Sequence, residues 1–137
     1  MKKISFDAVV RALAKYRFPK ADLVVGIENG GKVPAALVAY RLGKDVAYLT
    51  INYRDEMNRP RHPRPIVLKP LKRLKGVKKI LLVDDAAMTG QTLTLARKML
   101  GAYDVRTFVL KGKADHVLFP KIKACVAWPW KKLLRRI

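Results

Sequence analysis

The sequence predicts a single α/β domain built on a central parallel sheet with helices on its faces. Short apolar runs alternate along the chain with longer segments in which apolar residues recur at helical spacing. Two glycine-containing turns, at 28–31 and 86–91, each follow the carboxyl end of an apolar run. The length of 137 residues suits one domain over 1–137 with one core.

The first half of the chain supplies two helices and two strands of this plan. Residues 4–17 place their apolar side chains mostly on one helical face, and Ser5 is the expected N-cap. Residues 23–27 form a continuous apolar run, which is typical of a strand buried on both faces. A helix is predicted at 33–42, with a glycine directly after it as its stop, and the second strand at 46–51.

The second half repeats the alternation after a long connection. Residues 53–65 contain three prolines among six charged residues, so we expect a flexible loop there. Beyond this loop the pattern predicts a short edge strand at 66–68, strands at 79–83, 105–110 and 124–127, and a helix at 90–100. The carboxyl ends of parallel strands share one edge of a sheet, so the two glycine turns are expected side by side, where such sheets bind ligands.

The charge of the chain is unusual and limits the choice of partner. Thirty Lys and Arg face ten Asp and Glu, which gives a net charge of +20. Such a field attracts polyanions or phosphorylated small molecules, although solvated surface charge is the alternative interpretation. The sequence has neither an apolar stretch long enough to span a bilayer nor a secretory signal, and the single Cys125 excludes an internal disulfide. We therefore expect a cytoplasmic protein without a membrane partner.

The segment from Ile80 to Thr92 carries the strongest chemical signal. A buried strand delivers two carboxylates, Asp84 and Asp85, to the rim, and a helix begins close behind them. The loop between them offers free backbone N–H groups and the positive end of a helix dipole, which together suit a phosphate. The carboxylates can accept hydrogen bonds from a sugar diol and help to hold a divalent cation. Phosphate and diol at neighbouring positions describe a ribose 5-phosphate.

This segment is similar to the signature with which type I phosphoribosyltransferases bind phosphoribosyl pyrophosphate (PRPP). The shared pattern is an apolar strand, Asp-Asp, three residues, and then Thr-Gly-x-Thr-Leu. The resemblance implies a Rossmann-like fold with a central parallel sheet and a small C-terminal hood, at about 112–137. It assigns Asp84 and Asp85 as catalytic residues that contact the ribose and, indirectly, a Mg²⁺ ion that enters with PRPP. The ribose and 5-phosphate would be bound by Asp84, Asp85, Ala86, Ala87, Met88, Thr89, Gly90, Gln91 and Thr92.

A second segment resembles the pyrophosphate loop of the same family. Its usual pattern is Gly-Ile-x-Arg-Gly-Gly followed by Pro-Ala, and this chain has Asn29 where Arg is common. The implied pyrophosphate contacts are Glu28, Asn29, Gly30, Gly31 and Lys32. Family members also close a flexible loop over the reaction, here about 53–65. Its candidate pyrophosphate contacts are Tyr53, Arg54, Arg59, Arg61 and Arg64.

Phosphoribosyltransferases join the ribose 5-phosphate of PRPP to a nitrogenous base. The residues that bind this base are the part of the site that the sequence defines least. Lys111, at the end of the fourth buried strand, resembles the lysine that donates to the exocyclic oxygen of a 6-oxopurine. Val126 and Trp128 resemble the hood segment that holds a purine, although packing in the core or in a dimer is the alternative for Trp128. Two positions depart from the pattern, because Met88 replaces a common Asp and Cys125 replaces the usual stacking aromatic.

The resemblance thus implies a Mg²⁺-dependent purine phosphoribosyltransferase of nucleotide salvage, assembled as a homodimer or homotetramer. It implies hypoxanthine or guanine rather than adenine as the base. Two alternatives stay open. One is a PRPP-sensing regulator with the same fold that binds nucleic acid, which the charge and Met88 favour. The other is a weak enzyme that uses a non-purine base.

Overall fold

Strands and helices alternate in the computed structural model of the chain, which describes residues 1–28, 30–52, 66–69 and 74–131. Within these ranges the helices are α1 (Phe6–Lys15), α2 (Lys32–Leu42) and α3 (Gln91–Met99). The strands are β1 (Lys2–Lys3), β2 (Leu23–Glu28), β3 (Val46–Asn52), β4 (Ile66–Lys69), β5 (Lys79–Ala87), β6 (Asp104–Gly112), β7 (His116–Val117) and β8 (Val126–Ala127).

Six of the strands form the central sheet, in the order β4-β3-β2-β5-β6-β7. All neighbours in this sheet are parallel except β3 and β4, which are antiparallel. The chain runs outward from β2 to β3 and β4 on one side and from β5 to β6 and β7 on the other. The strand order therefore reverses between β2 and β5, which is where open α/β sheets bind ligands.

The core lies on both faces of this sheet, because alternate residues of each buried strand point to opposite sides. Val24, Leu81 and Val83 contribute to the cluster that α1 and α2 cover. Val25 and Leu82 contribute to the opposite cluster, which α3 covers through Leu93, Ala96 and its following residue Leu100. This double cover explains why β2 and β5 have continuous apolar sequences rather than alternating ones.

The helices begin and end close to the predicted positions. Ser5 caps α1, since its hydroxyl accepts a hydrogen bond from the amide of Ala8 at 3.0 Å. Gly43 ends α2 in a left-handed conformation, with φ of 65°. No helix in the described ranges has the length and apolar character needed to cross a membrane.

The parallel α/β architecture is confirmed, and the structure adds pairings that local patterns did not predict. β1 and β8 form a separate two-stranded parallel sheet, in which Lys2 pairs with Val126. This pairing attaches the C-terminal hood to the beginning of the chain. The last strand is shorter than the predicted 124–127, and β5 continues four residues beyond the predicted end at Val83 because it pairs with β6 as far as Ala87. The predicted loop at 53–65 lies outside the described residues.

Candidate active site

The two glycine turns lie side by side at the carboxyl ends of β2 and β5. These strands are direct neighbours, with Gly26 of β2 in register with Val83 of β5. Gly30 and Gly31, which follow β2, therefore lie beside Asp84 and Asp85, which directly follow Val83. The predicted pyrophosphate loop and the predicted ribose carboxylates thus share one site at the point where the strand order reverses.

Glycine is required at the point of contact between these two segments. A Cβ atom added to Gly30 would lie 2.7 Å from Oδ1 of Asp85. One added to Gly31 would lie 2.5 Å from the carbonyl oxygen of Val83 and 3.0 Å from Cα of Asp84. Real Cβ atoms do not approach other atoms this closely. The paired glycines therefore let the turn pack directly on the carboxylate segment.

The two carboxylates are buried and locally hydrogen-bonded. Asp84 and Asp85 are each 9% exposed. Oδ1 of Asp84 accepts a hydrogen bond from the amide of Asp85 at 2.8 Å, and Oδ1 of Asp85 accepts one from the amide of Ala86 at 2.7 Å. These bonds fix the orientation of both side chains before any ligand arrives.

The environment of Asp84 favours its protonated form. Burial raises the pKa of Asp84 well above its usual value, and the neighbouring charge of Asp85 raises it further. The hydrogen bond from the Asp85 amide and the charge of Lys131 oppose this shift. A strongly raised pKa in a buried like-charge pair is typical of a functional site rather than a structural cap.

The turn after β5 has the backbone expected of a phosphate site. Gly90 precedes α3 with φ of 80°, a left-handed conformation that favours glycine. The amide of Gln91 donates to Oγ1 of Thr89 at 3.3 Å. Within the described residues, the N–H groups of Met88, Thr89 and Gly90 donate no hydrogen bond. Ala87 is buried, Ala86 and Thr92 are half-buried, and Met88 is 68% exposed.

The predicted pyrophosphate residues are partly described. Glu28 ends β2 and accepts a long hydrogen bond of 3.5 Å from the hydroxyl of Thr50 on β3. Lys32 begins α2, and its ammonium lies 5.9 Å from the centre of the Tyr48 ring. The six other predicted contacts lie outside the described residues: Asn29, Tyr53, Arg54, Arg59, Arg61 and Arg64.

Lys111 lies on the same rim and contacts the hood. It ends the apolar part of β6 and is in register with Ala86 of β5. Its ammonium donates to the carbonyl oxygen of Ala124 at 2.7 Å and lies 3.4 Å from that of Lys123. Val126 is half-buried and pairs with Lys2. Lys111 therefore links the sheet to the segment that precedes Val126.

Trp128 packs in the core, which is the alternative that the sequence left open for it. It is 3% exposed, and its ring stacks on Trp130 with a centroid distance of 5.4 Å and on Phe119 with one of 6.4 Å. In this arrangement its ring is covered by protein and does not present a free face to a base. The indole N–H of Trp130 is buried and has no partner among the described residues.

One residue of the site was not identified from the sequence. Lys131, directly after Trp130, places its ammonium 3.0 Å from Oδ2 of Asp85. In the sequence, Lys131 only begins a basic run that contributes to the high positive charge of the chain. A contact between residues 85 and 131 depends on how the hood folds back, so spacing along the chain does not reveal it.

The described residues do not hold a metal ion by themselves. No group of three or more His, Cys, Asp and Glu side chains with suitable spacing occurs among them. Asp84 and Asp85 offer carboxylate oxygens, which Mg²⁺ prefers, but a complete shell needs further oxygens. The two carboxylates would supply only part of such a shell, and the expected Mg²⁺ stays a prediction.

Comparison with known proteins places this site in a family. The model of the phosphoribosyl transferase domain matches residues 2–130, nearly the whole chain. This chain belongs to that family. The membership agrees with the resemblance found in the Asp84–Thr92 and Val24–Ala35 segments.

A curated orotate phosphoribosyltransferase from Sulfurisphaera tokodaii is 30% identical over 100 residues, which cover 73% of this chain and 47% of the relative. The chain thus spans about half the length of that relative.

Solved structures of family members share the fold. A purine phosphoribosyltransferase from Pyrococcus horikoshii superposes with a TM-score of 0.74 at 20% identity, covering 94% of this chain and 93% of that chain. A xanthine-guanine-hypoxanthine phosphoribosyltransferase from Helicobacter pylori gives a TM-score of 0.75 at 15% identity, covering 98% and 96%. The TM-scores confirm the type I fold. Because the sequence identities are low, the similarity does not show which base this protein uses.

Proposed function

We propose that this protein transfers the ribose 5-phosphate of PRPP to a purine base and releases pyrophosphate. The observation that carries the proposal is the contact between Gly30 and the Asp85 carboxylate, because it joins two halves of one binding site. A turn that can admit pyrophosphate lies directly beside carboxylates that can hold ribose hydroxyls. The matching family model supports the same reaction class.

Each part of the site has a separate task in this proposal. Asp84 and Asp85 accept hydrogen bonds from the ribose hydroxyls and fix the sugar. The free N–H groups of the 88–90 turn bind the 5-phosphate, helped by the α3 dipole. The turn at 30–31 brings backbone close to the pyrophosphate. Holding both reactants in line and stabilising the leaving group account for most of the rate gain expected here.

Mg²⁺ is the proposed cofactor. When bound with PRPP, it would neutralise charge on the departing pyrophosphate. Asp84 and Asp85 are the residues that would contact it, directly or through water, together with oxygens of PRPP. The residues of the chain would orient the ribose and limit access of water to the reacting carbon.

A 6-oxopurine is the proposed base. Lys111 supports this choice, since it lies one strand away from the carboxylates and carries a strong hydrogen-bond donor toward the hood. Met88 cannot transfer a proton, so the base would have to react without a carboxylate at that position. The orotate phosphoribosyltransferase among the relatives makes a pyrimidine the competing choice.

A screen of six bases tests the proposal. The protein is incubated with PRPP, Mg²⁺ and adenine, guanine, hypoxanthine, xanthine, uracil or orotate, and nucleotide formation is measured by chromatography. We expect conversion of guanine, hypoxanthine or xanthine, and loss of that conversion in Lys111→Met. Conversion of orotate alone would support the transferase and contradict the purine. A protein with Asp84→Asn serves as the inactive control.

A basic groove favours a second candidate function, a PRPP-sensing regulator that binds nucleic acid. A cavity of about 500 Å³ at the amino ends of the strands is lined by Lys20, Lys44, Lys78 and Lys79. Lys44 also borders a neighbouring cavity of about 630 Å³. No ion pair involves these four lysines in the described part of the chain. An extended polyanion could neutralise them together.

Salt dependence distinguishes the two candidates. For the regulator, affinity for a single-stranded RNA should fall steeply with salt, and replacing the four groove lysines by Gln should remove most of the binding. Replacing Lys98, Lys113 and Lys121, which lie elsewhere on the surface, is the control. Tight RNA binding at physiological salt with no nucleotide formed from any base would favour the regulator. A homo-oligomer and a cytoplasmic location remain part of the proposal in either case.

A further inference from the structure

Lys131 contacts the carboxylate pair from outside the strands that carry it. Its ammonium lies 3.0 Å from Oδ2 of Asp85, while Oδ1 of Asp85 is bonded to the amide of Ala86. Both oxygens of Asp85 are therefore engaged by groups of the protein itself. The Asp85 side chain is 13% exposed and that of Lys131 is 54% exposed, so the ammonium covers the carboxylate from the solvent side.

The ion pair between Lys131 and Asp85 changes the charge balance of the site. Two adjacent carboxylates repel each other, and an ammonium 3.0 Å from one of them offsets part of that repulsion. Among the described residues, Lys131 is the one cationic side chain that forms an ion pair with either carboxylate. Because Lys131 already contacts Oδ2 of Asp85, any ligand that binds this oxygen must compete with the ammonium.

We propose that Lys131 is a built-in counter-cation that a divalent metal ion or the substrate must displace from Asp85. The inference rests on the proposed function for the identity of the substrate, but its metal part concerns the free protein alone. Lys131 thereby keeps the carboxylates of the ligand-free protein from taking up divalent cations. PRPP overcomes this competition because it brings its own oxygens to the metal.

Manganese binding to the free protein tests this role without any turnover. The loss of the free Mn²⁺ signal in electron paramagnetic resonance gives the affinity of the full chain in the absence of PRPP. We expect Lys131→Met to bind Mn²⁺ about fivefold more tightly than the unmodified protein, because a competing ion pair is removed. Lys131→Arg should retain weak binding, since it keeps the cation.

Two controls locate the effect. Lys121→Met removes another hood lysine, one that forms no described ion pair, and should leave Mn²⁺ affinity unchanged. Adding Asp85→Asn to Lys131→Met should abolish the gain. The proposal is overturned if Lys131→Met and the unmodified protein bind Mn²⁺ equally. It is also overturned if the gain survives Asp85→Asn.

The outcome is separable from that of the base screen. If no base is converted but Lys131→Met gains Mn²⁺ affinity through Asp85, the counter-cation stands and the transferase fails. If nucleotide is formed but Lys131→Met shows no gain, the transferase stands and the counter-cation fails. Circular dichroism of each variant establishes that the fold is retained, as expected for a side chain that is half exposed.

Discussion

The two ends of the central sheet use aspartate in opposite ways. At the amino end, Asp22 is exposed, and its carboxylate accepts hydrogen bonds from the amides of Lys78 and Lys79 at 3.0 and 2.8 Å. These bonds lower the pKa of Asp22, and the charges of Lys44 and Lys79 lower it further. At the carboxyl end, Asp84 is buried beside a second carboxylate, and its pKa is raised.

The difference separates a structural aspartate from the one that we propose to be functional. Asp22 joins β2 to the start of β5, and its charge is balanced by amides and lysines. At Asp84, burial and the neighbouring charge of Asp85 oppose ionisation. A fold maintains such an unfavourable pair when a ligand, rather than the protein, completes its interactions.

The largest expected effect is the loss of activity in Asp84→Asn. Asn keeps the size of the side chain and the oxygen that accepts from the Asp85 amide, but it replaces the other oxygen, which would accept from a ribose hydroxyl, with an NH₂ donor. We expect kcat/KM for PRPP to fall about 100-fold or more. Steady-state kinetics with the best base measure this, and Asp22→Asn should stay within about twofold of the unmodified protein. If Asp84→Asn and Asp22→Asn lost activity equally, the distinction between the two ends of the sheet would be contradicted.

The next largest effect is a loss of stability when the packing at the carboxyl end of the central sheet is disturbed. Gly31→Ala would force a Cβ atom against the carbonyl oxygens of Val83 and Ile27, at 2.5 and 2.7 Å. Both are backbone atoms of the sheet and cannot move aside, so we expect a loss of about 1–3 kcal/mol in the free energy of unfolding. Urea unfolding followed by fluorescence measures it. Gly101→Ala, on a surface turn, should change stability by less than about 0.5 kcal/mol.

A smaller effect is the pH dependence of stability at Asp84. Its raised pKa means that the folded state resists ionisation, so the unmodified protein loses stability as pH rises above about 4, the unfolded value. Asp84→Asn does not incur this loss and should be the more stable protein at pH 7. Below pH 4 the two should converge. Thermal unfolding across pH 3–8 would contradict the assignment if Asp84→Asn were less stable at neutral pH.

The smallest effect, of opposite sign, is expected at Asp22. Its lowered pKa means that the ionised form stabilises the folded state, fully above pH 4, and that this contribution disappears as pH falls through the folded pKa. Asp22→Asn should therefore be slightly less stable than the unmodified protein at pH 7 and equal to it in acid. Thermal unfolding across pH 3–8 measures both variants. If Asp22→Asn and Asp84→Asn changed stability in the same direction at pH 7, the contrast between the two aspartates would be contradicted.

Much of the fold could be predicted from local patterns. The helices and the strands from β2 to β6 were predicted near their observed positions, because burial on two faces leaves continuous apolar runs and glycine marks helix ends. The strands β1 and β7 were not predicted. Each has only two residues, too few to show a pattern of its own. β1 forms because β8 lies beside it from the other end of the chain, and β7 forms where the chain returns along β6.

Parts of the candidate site could also be predicted from local patterns, and other parts could not. The two carboxylates, the turn after β5 and the glycine turn could be predicted, because each lies in a short contiguous segment. The base-binding residues stay a prediction, and the structure shows that Trp128 packs into the core against Phe119 and Trp130. Whether an aromatic side chain faces a ligand or the core depends on how the hood packs, and the sequence around Trp128 is the same in either case.

By itself the sequence determined that this chain forms a parallel α/β sheet and that two carboxylates follow a buried strand toward a helix. Only the tertiary structure decided that the strand order reverses between β2 and β5, that Gly30 lies against Asp85, and that Lys131 folds back onto the same carboxylate. The reason is physical. Periodicity and turn chemistry act over a few residues, whereas these contacts join segments many residues apart and form only when the whole core has packed.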